Sequence, residues 1–304
     1  MRIVSLLPSA TEIVHAVGLG DRLVGVSHEC DHPAAVRGLP RVTRSLIPAA
    51  ATSAEIDAAV RDGVRKRQPL SALDADLLAS LRPDLVVTQA LCDVCAVAEG
   101  EVAAALAGLP GPPCVLTLEP HRLGDVLAGM QSVADAAGAA DAGRAAVAAL
   151  QRRIDAVAAR SVAVAARPRV MLLEWLDPPF TAGHWSPEIV RLAGGAEVLG
   201  REGERSRAVA WDDVRGADPE VLVVACCGFD VDRTRQELPL LTGRPGFRDL
   251  ACVRSGRVCL MDGNAFFSRP GPRLVDALEA LAHLLHPDVH PRPATTCAVQ
   301  FAPD

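Results

Sequence analysis

The sequence predicts an α/β fold of two Rossmann-like lobes with parallel or mixed sheets, joined by one long α-helix. Three observations predict it. Short apolar runs alternate with helical stretches along most of the chain, the pattern of strand–helix units in a mostly parallel sheet. That alternation breaks once, at two helical stretches with no strand between them, and restarts after Pro168. The length, 304 residues, is that of about two average domains.

Taken in order, Arg2–Leu6 reads as the first strand. Ser9 with Glu12 three residues on reads as a capping box, opening a helix to about Val17 that Gly18 and Gly20 end. Leu23–Val26 is a second short strand, followed by the polar loop His28-Glu29-Cys30-Asp31-His32-Pro33. Residues 41–70 carry few strand signals. Within them Ile56, Val60 and Val64, at helical spacing, mark an amphipathic helix over Ser53–Arg67. Ala75–Leu81 is a short helix, and Leu85–Thr88 and Cys114–Leu118 are strands. The two consecutive helices run over about Leu123–Ala137 and Asp141–Ala159, separated by Gly138. The second is ~28 Å long at 1.5 Å per residue, enough to bridge two lobes. Beyond Pro168, Arg169–Leu173, Val221–Ala225 and Val258–Met261 read as strands, Pro187–Ala193 and Pro272–Leu285 as helices, and Trp211-Asp212-Asp213 as the start of a short helix. The proline-rich end reads as frayed. The expected organisation is an N-terminal lobe over 1–137, a connecting helix over 138–166, a C-terminal lobe over 167–290 and a flexible tail over 291–304.

Half the residues are apolar and 22% are charged, which excludes a disordered chain, a collagen-like fibre and a disulfide-stapled miniprotein. A net charge of −6 implies no broad basic face, so nucleic acid is not an expected partner. No apolar run approaches ~20 residues, so no membrane insertion is expected. The N-terminus enters a strand directly and shows no apolar h-region, which reads as a cytoplasmic chain. In that compartment the nine cysteines are fillers, metal ligands or redox groups rather than bridges.

A family resemblance lies in Arg2-Ile3-Val4-Ser5-Leu6-Leu7-Pro8-Ser9-Ala10-Thr11-Glu12, in Val17-Gly18-Leu19-Gly20-Asp21-Arg22-Leu23-Val24-Gly25-Val26, and in Cys30-Asp31-His32-Pro33, Leu39-Pro40-Arg41-Val42 and Leu81-Arg82-Pro83-Asp84-Leu85-Val86. Over roughly residues 1–290 the chain resembles the vitamin B12- and iron-siderophore-type substrate-binding proteins, here in a signal-less form. The resemblance implies two α/β lobes on one long helix, with a ligand cleft between the lobes. It implies a small-molecule ligand, cobalamin or another corrinoid or a related metal chelate. The family serves ABC permeases, so such a contact is implied too; the apparent lack of an export signal argues against it.

Open parallel sheets bind ligands outside the carboxyl ends of their strands. Pro8 and Ser9 follow the first strand, Glu29 and Cys30 the second, and Gln89, Cys92 and Cys95 the third. In the C-terminal half Glu174, Trp175, His184 and Trp185 follow one strand, Cys226, Cys227 and Phe229 another, and Asp262, Phe267 and Arg269 a third. Trp175, Trp185, Phe229 and Phe267 supply aromatic faces in a chain that is only 3% aromatic. Interlobe core is the competing reading of Trp175. Glu29 and Glu174 read as ligand contacts or as helix caps, and Arg269 as an anion contact or a partner of Asp262.

Cys92-Asp93-Val94-Cys95 puts two thiols on one side of a turn, the spacing of a metal or redox pair; packing is the third reading. With Cys30 and Cys227 it would make a four-thiolate site for zinc or an iron–sulfur cluster, and His184 is a further candidate ligand through neutral imidazole. A histidine bonded to a loop carbonyl is the alternative for His184. Cys114, Cys252 and Cys259 read as buried fillers, and His15, His121, His283, His286 and His290 as solvent-facing. Two functions follow: a cytosolic binding protein for a corrinoid or related chelate, or a metalloprotein or redox enzyme on the same scaffold. No G-x-S-x-G elbow and no G-x-G-x-x-G after the first strand support a hydrolase or a dinucleotide enzyme.

Overall fold

A computed structural model describes residues 1–66, 68–89, 99–107, 111–295 and 298–301. The chain forms two compact units, residues 1–120 with 124–148, and residues 121–123 with 149–304.

The first unit is built on four parallel strands, β1 (Ile3–Ser5), β2 (Leu23–Val26), β5 (Leu85–Gln89) and β6 (Cys114–Leu118), in the order β2-β1-β5-β6. Val4 and Val86 from its two middle strands pack with Val42, Leu78, Val102 and Leu106 in one buried cluster. Its central strands begin as buried apolar runs, Ile3-Val4 and Leu85-Val86-Val87, and turn polar only at their carboxyl ends, at Ser5 and at Thr88-Gln89. The edge strand β6 is different: Cys114 and Val115 are exposed, which corrects the expectation of a buried Cys114. Helix α1 (Pro8–Ala16), with Leu7 at its N-cap, starts two residues earlier than a Ser9 cap would place it. Proline's fixed φ suits the first helical position, so Ser9 and Glu12 lie inside the helix and are buried, and the expected capping box is absent. Residues 41–75 hold a two-stranded antiparallel ladder, β3 (Thr43–Ser45) with β4 (Ser71–Leu73), on either side of helix α2 (Ser53–Lys66). The ladder is too short and polar to be seen as strands in the sequence.

Helix α3 (Leu123–Ala136) is followed by α4 (Ala140–Ser161), the long helix, 22 residues rich in alanine with Asp141 in its first turn and Arg160 in its last. Leu150, Ile154 and Val157 bury one stripe of its second half. On that half Arg153 grips Glu279 through two bonds of 2.9 and 2.7 Å and reaches Asp276 at 2.5 Å, fixing it to the C-terminal helix Leu274–Leu285.

The second unit carries a mixed six-stranded sheet. Its centre is parallel, β10 (Val221–Val224) lying between β7 (Arg169–Leu176) and β11 (Val258–Met261), and the short β9 (Ala196–Glu197) also pairs in parallel with β7. Its other strands are antiparallel, β8 (Pro179–Thr181) on β7 and β12 (Ala298–Phe301) on β11. All of β10 and β11 is buried. Where the sequence reads as a frayed tail, β12 completes the sheet. The connection to it is pinned by histidines: His283 Nδ1 lies 2.9 Å from the carbonyl of His290, His286 Nε2 3.1 Å from that of Gly194, and His290 Nε2 3.2 Å from Ser161 Oγ. His290 is only 2% exposed, which corrects its expected solvent-facing placement.

Candidate functional site

The strongest constellation lies in the second unit at the carboxyl ends of β7 and β10. After β10 the chain leaves the sheet, whereas Glu174 and Trp175, expected to follow their strand, still lie within β7, which runs to Leu176 and pairs there with β8. The turn after β10 is tied on both sides. Cys227 N–H donates to the Glu174 carbonyl at 2.9 Å, Gly228 N–H to Ser268 Oγ at 3.2 Å, and Asn264 N–H to the Phe229 carbonyl at 3.0 Å. Gly263 makes this fit possible, because a Cβ there would lie 2.1 Å from the Cys226 carbonyl oxygen. Of the adjacent cysteines, Cys226 is buried, its thiol pushed up to about 12 by burial, and Cys227 is exposed.

Trp175 and Phe229 meet across this end with ring centres 5.0 Å apart, tilted by 46°, and Arg233 lies over the Phe229 ring. The Trp175 indole N–H is buried and has no partner among the described residues. Such a donor is costly unless something accepts from it.

Glu174 organises the neighbouring loop. Its Oε1 accepts from Gly183 N–H and from Ser186 Oγ, both at 3.1 Å, and burial pushes its carboxyl up to about 7. None of these bonds comes from a backbone N–H of the helix Ser186–Leu192, so Glu174 fastens the loop before the helix rather than capping it. Gly183 packs so closely on the chain at Ser206 that a Cβ would lie 2.2 Å from its backbone nitrogen. His184 follows at a φ of +52°, a conformation histidine visits more readily than most residues. Two backbone bonds hold it there, from its own N–H to the Glu204 carbonyl and from Gly203 N–H to its carbonyl. Its Nδ1 is buried with no partner among the described residues, so the loop-carbonyl alternative is not seen at that atom. Burial first, then His121 and Arg205, lowers its pKa, leaving a neutral ring able to donate a lone pair. His121, expected in solvent, lies 5.7 Å from it ring to ring. The segment 121–123 belongs to this unit although the chain around it belongs to the other, a contact that no local sequence signal announces.

Trp185 and Phe267 are less available than their composition suggested. Trp185 is buried, with its indole bonded to the Phe267 carbonyl at 2.9 Å. Phe267 is buried too. Arg269 is buried and donates to Asn264 Oδ1 at 3.0 Å, while the expected partner Asp262 caps the helix Gly263–Phe266 through Ala265 N–H at 2.7 Å.

In the first unit Ser9, Glu29 and Cys30 follow parallel strands at their carboxyl ends, as does the half-buried Pro8, and Gln89 is the last residue of β5. Glu29 is exposed, and Gln89 Oε1 and Ser9 Oγ are buried without partners among the described residues. Cys30 Sγ lies 3.1 Å from both Thr11 Oγ1 and Ser27 Oγ, is 1% exposed, and is held as a thiol by burial. Cys92 and Cys95 lie outside the described residues. Among the described residues no three His, Cys, Asp or Glu side chains are grouped to hold a metal ion, and the zinc or iron–sulfur expectation finds no support there. Nor is any described helix long and apolar enough to cross a membrane.

The sequence matches the family described as periplasmic binding protein over residues 3–265. Among curated proteins, the vitamin B12-binding protein of Vibrio cholerae is 22% identical over 291 residues, covering 93% of this chain and 88% of that protein. That of Vibrio vulnificus is 50% identical over 42 residues, 14% of this chain and 15% of its own. Among solved structures, a periplasmic heme-binding protein from Pseudomonas aeruginosa superposes with a TM-score of 0.74 at 22% identity, covering all of this chain and 99% of its own. The periplasmic vitamin B12-binding protein BtuF of Vibrio cholerae superposes with a TM-score of 0.67 at 20% identity, covering 93% and 96%. The two-lobed α/β fold expected from the sequence is the fold of these proteins. The expected cytoplasmic location is overturned: the matching family and these solved neighbours are periplasmic binding proteins, which points to the periplasm.

Proposed function

This chain belongs to the periplasmic binding protein family, and from that premise we propose that it binds a metal-chelate macrocycle, a corrinoid in the first instance. One observation carries the reading: the Trp175–Phe229 aromatic pair with its unmet indole donor stands beside a loop that presents a neutral His184 with an unpartnered Nδ1. Aromatic faces contribute area to a large planar ligand at little entropic cost. The indole N–H gains an acceptor in a peripheral amide or carboxylate of the ligand, and the imidazole supplies a lone pair for its metal. The curated relatives that bind vitamin B12 support the corrinoid. Heme-binding neighbours of the same fold make a porphyrin the comparison that has to be run. Pro8, Ser9, Glu29 and Gln89 are further candidate ligand contacts, and an ABC permease is the acceptor of the cargo in this reading.

Titration of the protein with cyanocobalamin, and separately with hemin, watched by visible absorbance, tests this. Saturable binding with a Kd in the low micromolar range or below is expected for the corrinoid, about −8 kcal/mol or better. Binding of hemin alone would transfer the site to porphyrins. No spectral change with either ligand at about 100 μM removes the proposal.

A further inference from the structure

A second concave site lies in the second unit, and none of its residues belongs to the strand-end constellation. It is a cavity of about 520 Å³ between the second half of α4, Glu279 and the segment His290–Ala294. Arg152, Ala156 and Arg160 follow one another at four-residue intervals along the helix and line it. The two arginines are about 12 Å apart along the helix axis, and the small side chain of Ala156 leaves open the space into which both can reach. Arg292 lines the cavity from the tail segment.

The charge here is out of keeping with the chain. Arg153 is already satisfied by Glu279 and Asp276. Arg152, Arg160 and Arg292 have no carboxylate partner among the described residues. Four guanidiniums therefore face two carboxylates, a local surplus of two positive charges in a protein of net charge −6. His290 adds an independent sign. It lines the cavity, is 2% exposed, binds Ser161 through Nε2, and leaves Nδ1 buried without a partner among the described residues. Arg152, Arg160 and Arg292 are exposed and can be hydrated, so the unmet polar atom of the groove is the buried His290 Nδ1, which lies beside three positive charges without carboxylate partners among the described residues.

We propose that this groove binds a soluble phosphate-bearing anion of small-molecule size. A doubly charged anion matches the surplus, and guanidinium forks bind phosphate oxygens two at a time, a geometry for which lysine is no substitute. The cavity volume falls in the range of small-molecule sites. The site is independent of the macrocycle reading, and either stands if the other fails.

Calorimetric titration of the intact protein with inorganic pyrophosphate and with inorganic phosphate, at low ionic strength, tests the proposal. Saturable heat with pyrophosphate is expected, together with a shift of the His290 ring nitrogens in NMR spectra. Arg160→Gln and Arg292→Gln should each weaken binding about tenfold or more. Ala156→Leu, which fills the groove and removes no charge, should abolish it. Arg22→Gln, an exposed change in the first unit, should leave it unchanged. Absence of heat up to about 10 mM pyrophosphate overturns the proposal, as does binding that the Arg160, Arg292 and Ala156 variants leave untouched. Sedimentation with phosphatidylglycerol vesicles in the absence of pyrophosphate binding would overturn it in favour of a membrane surface.

Discussion

The indole nitrogen of Trp185 donates to the carbonyl oxygen of Phe267 at 2.9 Å, a bond between residues 82 positions apart in the sequence. It ties the loop that carries His184 to the segment that follows β11. Trp185→Phe keeps most of the buried area and removes only the donor. The Phe267 carbonyl is then left unmet in a buried place, at a cost of about 1–2 kcal/mol. Urea denaturation should show this as a lower midpoint with an unchanged slope. An unchanged midpoint would mean that water replaces the indole and that the loop is not fastened here.

Trp175 should behave differently, because its indole nitrogen has no partner among the described residues. Trp175→Ala is expected to weaken macrocycle binding by about 10- to 100-fold, the scale of a buried aromatic anchor. Trp175→Phe keeps the face and loses the donor, so it separates stacking from hydrogen bonding. If both variants bind as the parent does, the ligand does not use this face. His184→Ala should leave affinity for a metal-free chelate unchanged and weaken the metallated form, which absorbance titration of the two forms distinguishes.

Glu174 makes stability depend on pH in a direction that can be stated. Burial raises its carboxyl from an ordinary 4.5 to about 7, against the hydrogen bonds from Gly183, Ser186 and Ser206 that favour the anion. Between those values the folded protein keeps a proton that the unfolded chain has lost. Stability from this group is therefore complete below about pH 4.5 and is lost as pH rises through about 7. Glu197, raised to about 7 by burial as well, acts in the same direction. Denaturation midpoints should fall across that window, and Glu174→Gln should make the fall shallower without removing the Glu197 part. A midpoint that rises with pH through the window would show that both carboxylates are already ionised in the folded state.

Much of the fold was legible because the central strands are short apolar runs with both faces covered, as in Val221–Val224, and such runs stand out between helices. What was not legible depends on long-range position. Cys114 belongs to an apolar run like any other, and only its place on an edge strand exposes it. His121 reads as a surface histidine until residues 121–123 join the second unit beside His184. His290 sits in a proline-rich stretch, and its burial comes from the end of α4, through Ser161. At the site, sequence position marked the strand-end residues but not which of them are already engaged. Trp175 and Trp185 are ten residues apart and both read as following one strand, yet Trp175 lies within β7 with its indole unbonded among the described residues and Trp185 lies beyond it with its indole bonded.

The cysteines give a final prediction, because their environments divide them sharply. The thiolate is the reactive form, and burial that raises a thiol's pKa suppresses both access and ionisation. Cys30, packed between Thr11 and Ser27, is shifted upward by burial. Cys252 and Cys259 are pushed up to about 11, and Cys226 to about 12. Cys114 and Cys227 are exposed. Brief alkylation of the native protein at neutral pH, followed by peptide mass mapping, should label Cys114 and Cys227 and spare these four, and denaturant should open all six. Native labelling of Cys30 would overturn its place as a buried thiol and return it to consideration as a thiolate ligand. Cys30→Ser offers the complementary measurement: the hydroxyl keeps a bond to Thr11 or Ser27 but is smaller and more polar in a buried space, so the protein should lose about 1–2 kcal/mol of stability while its ligand affinity is retained.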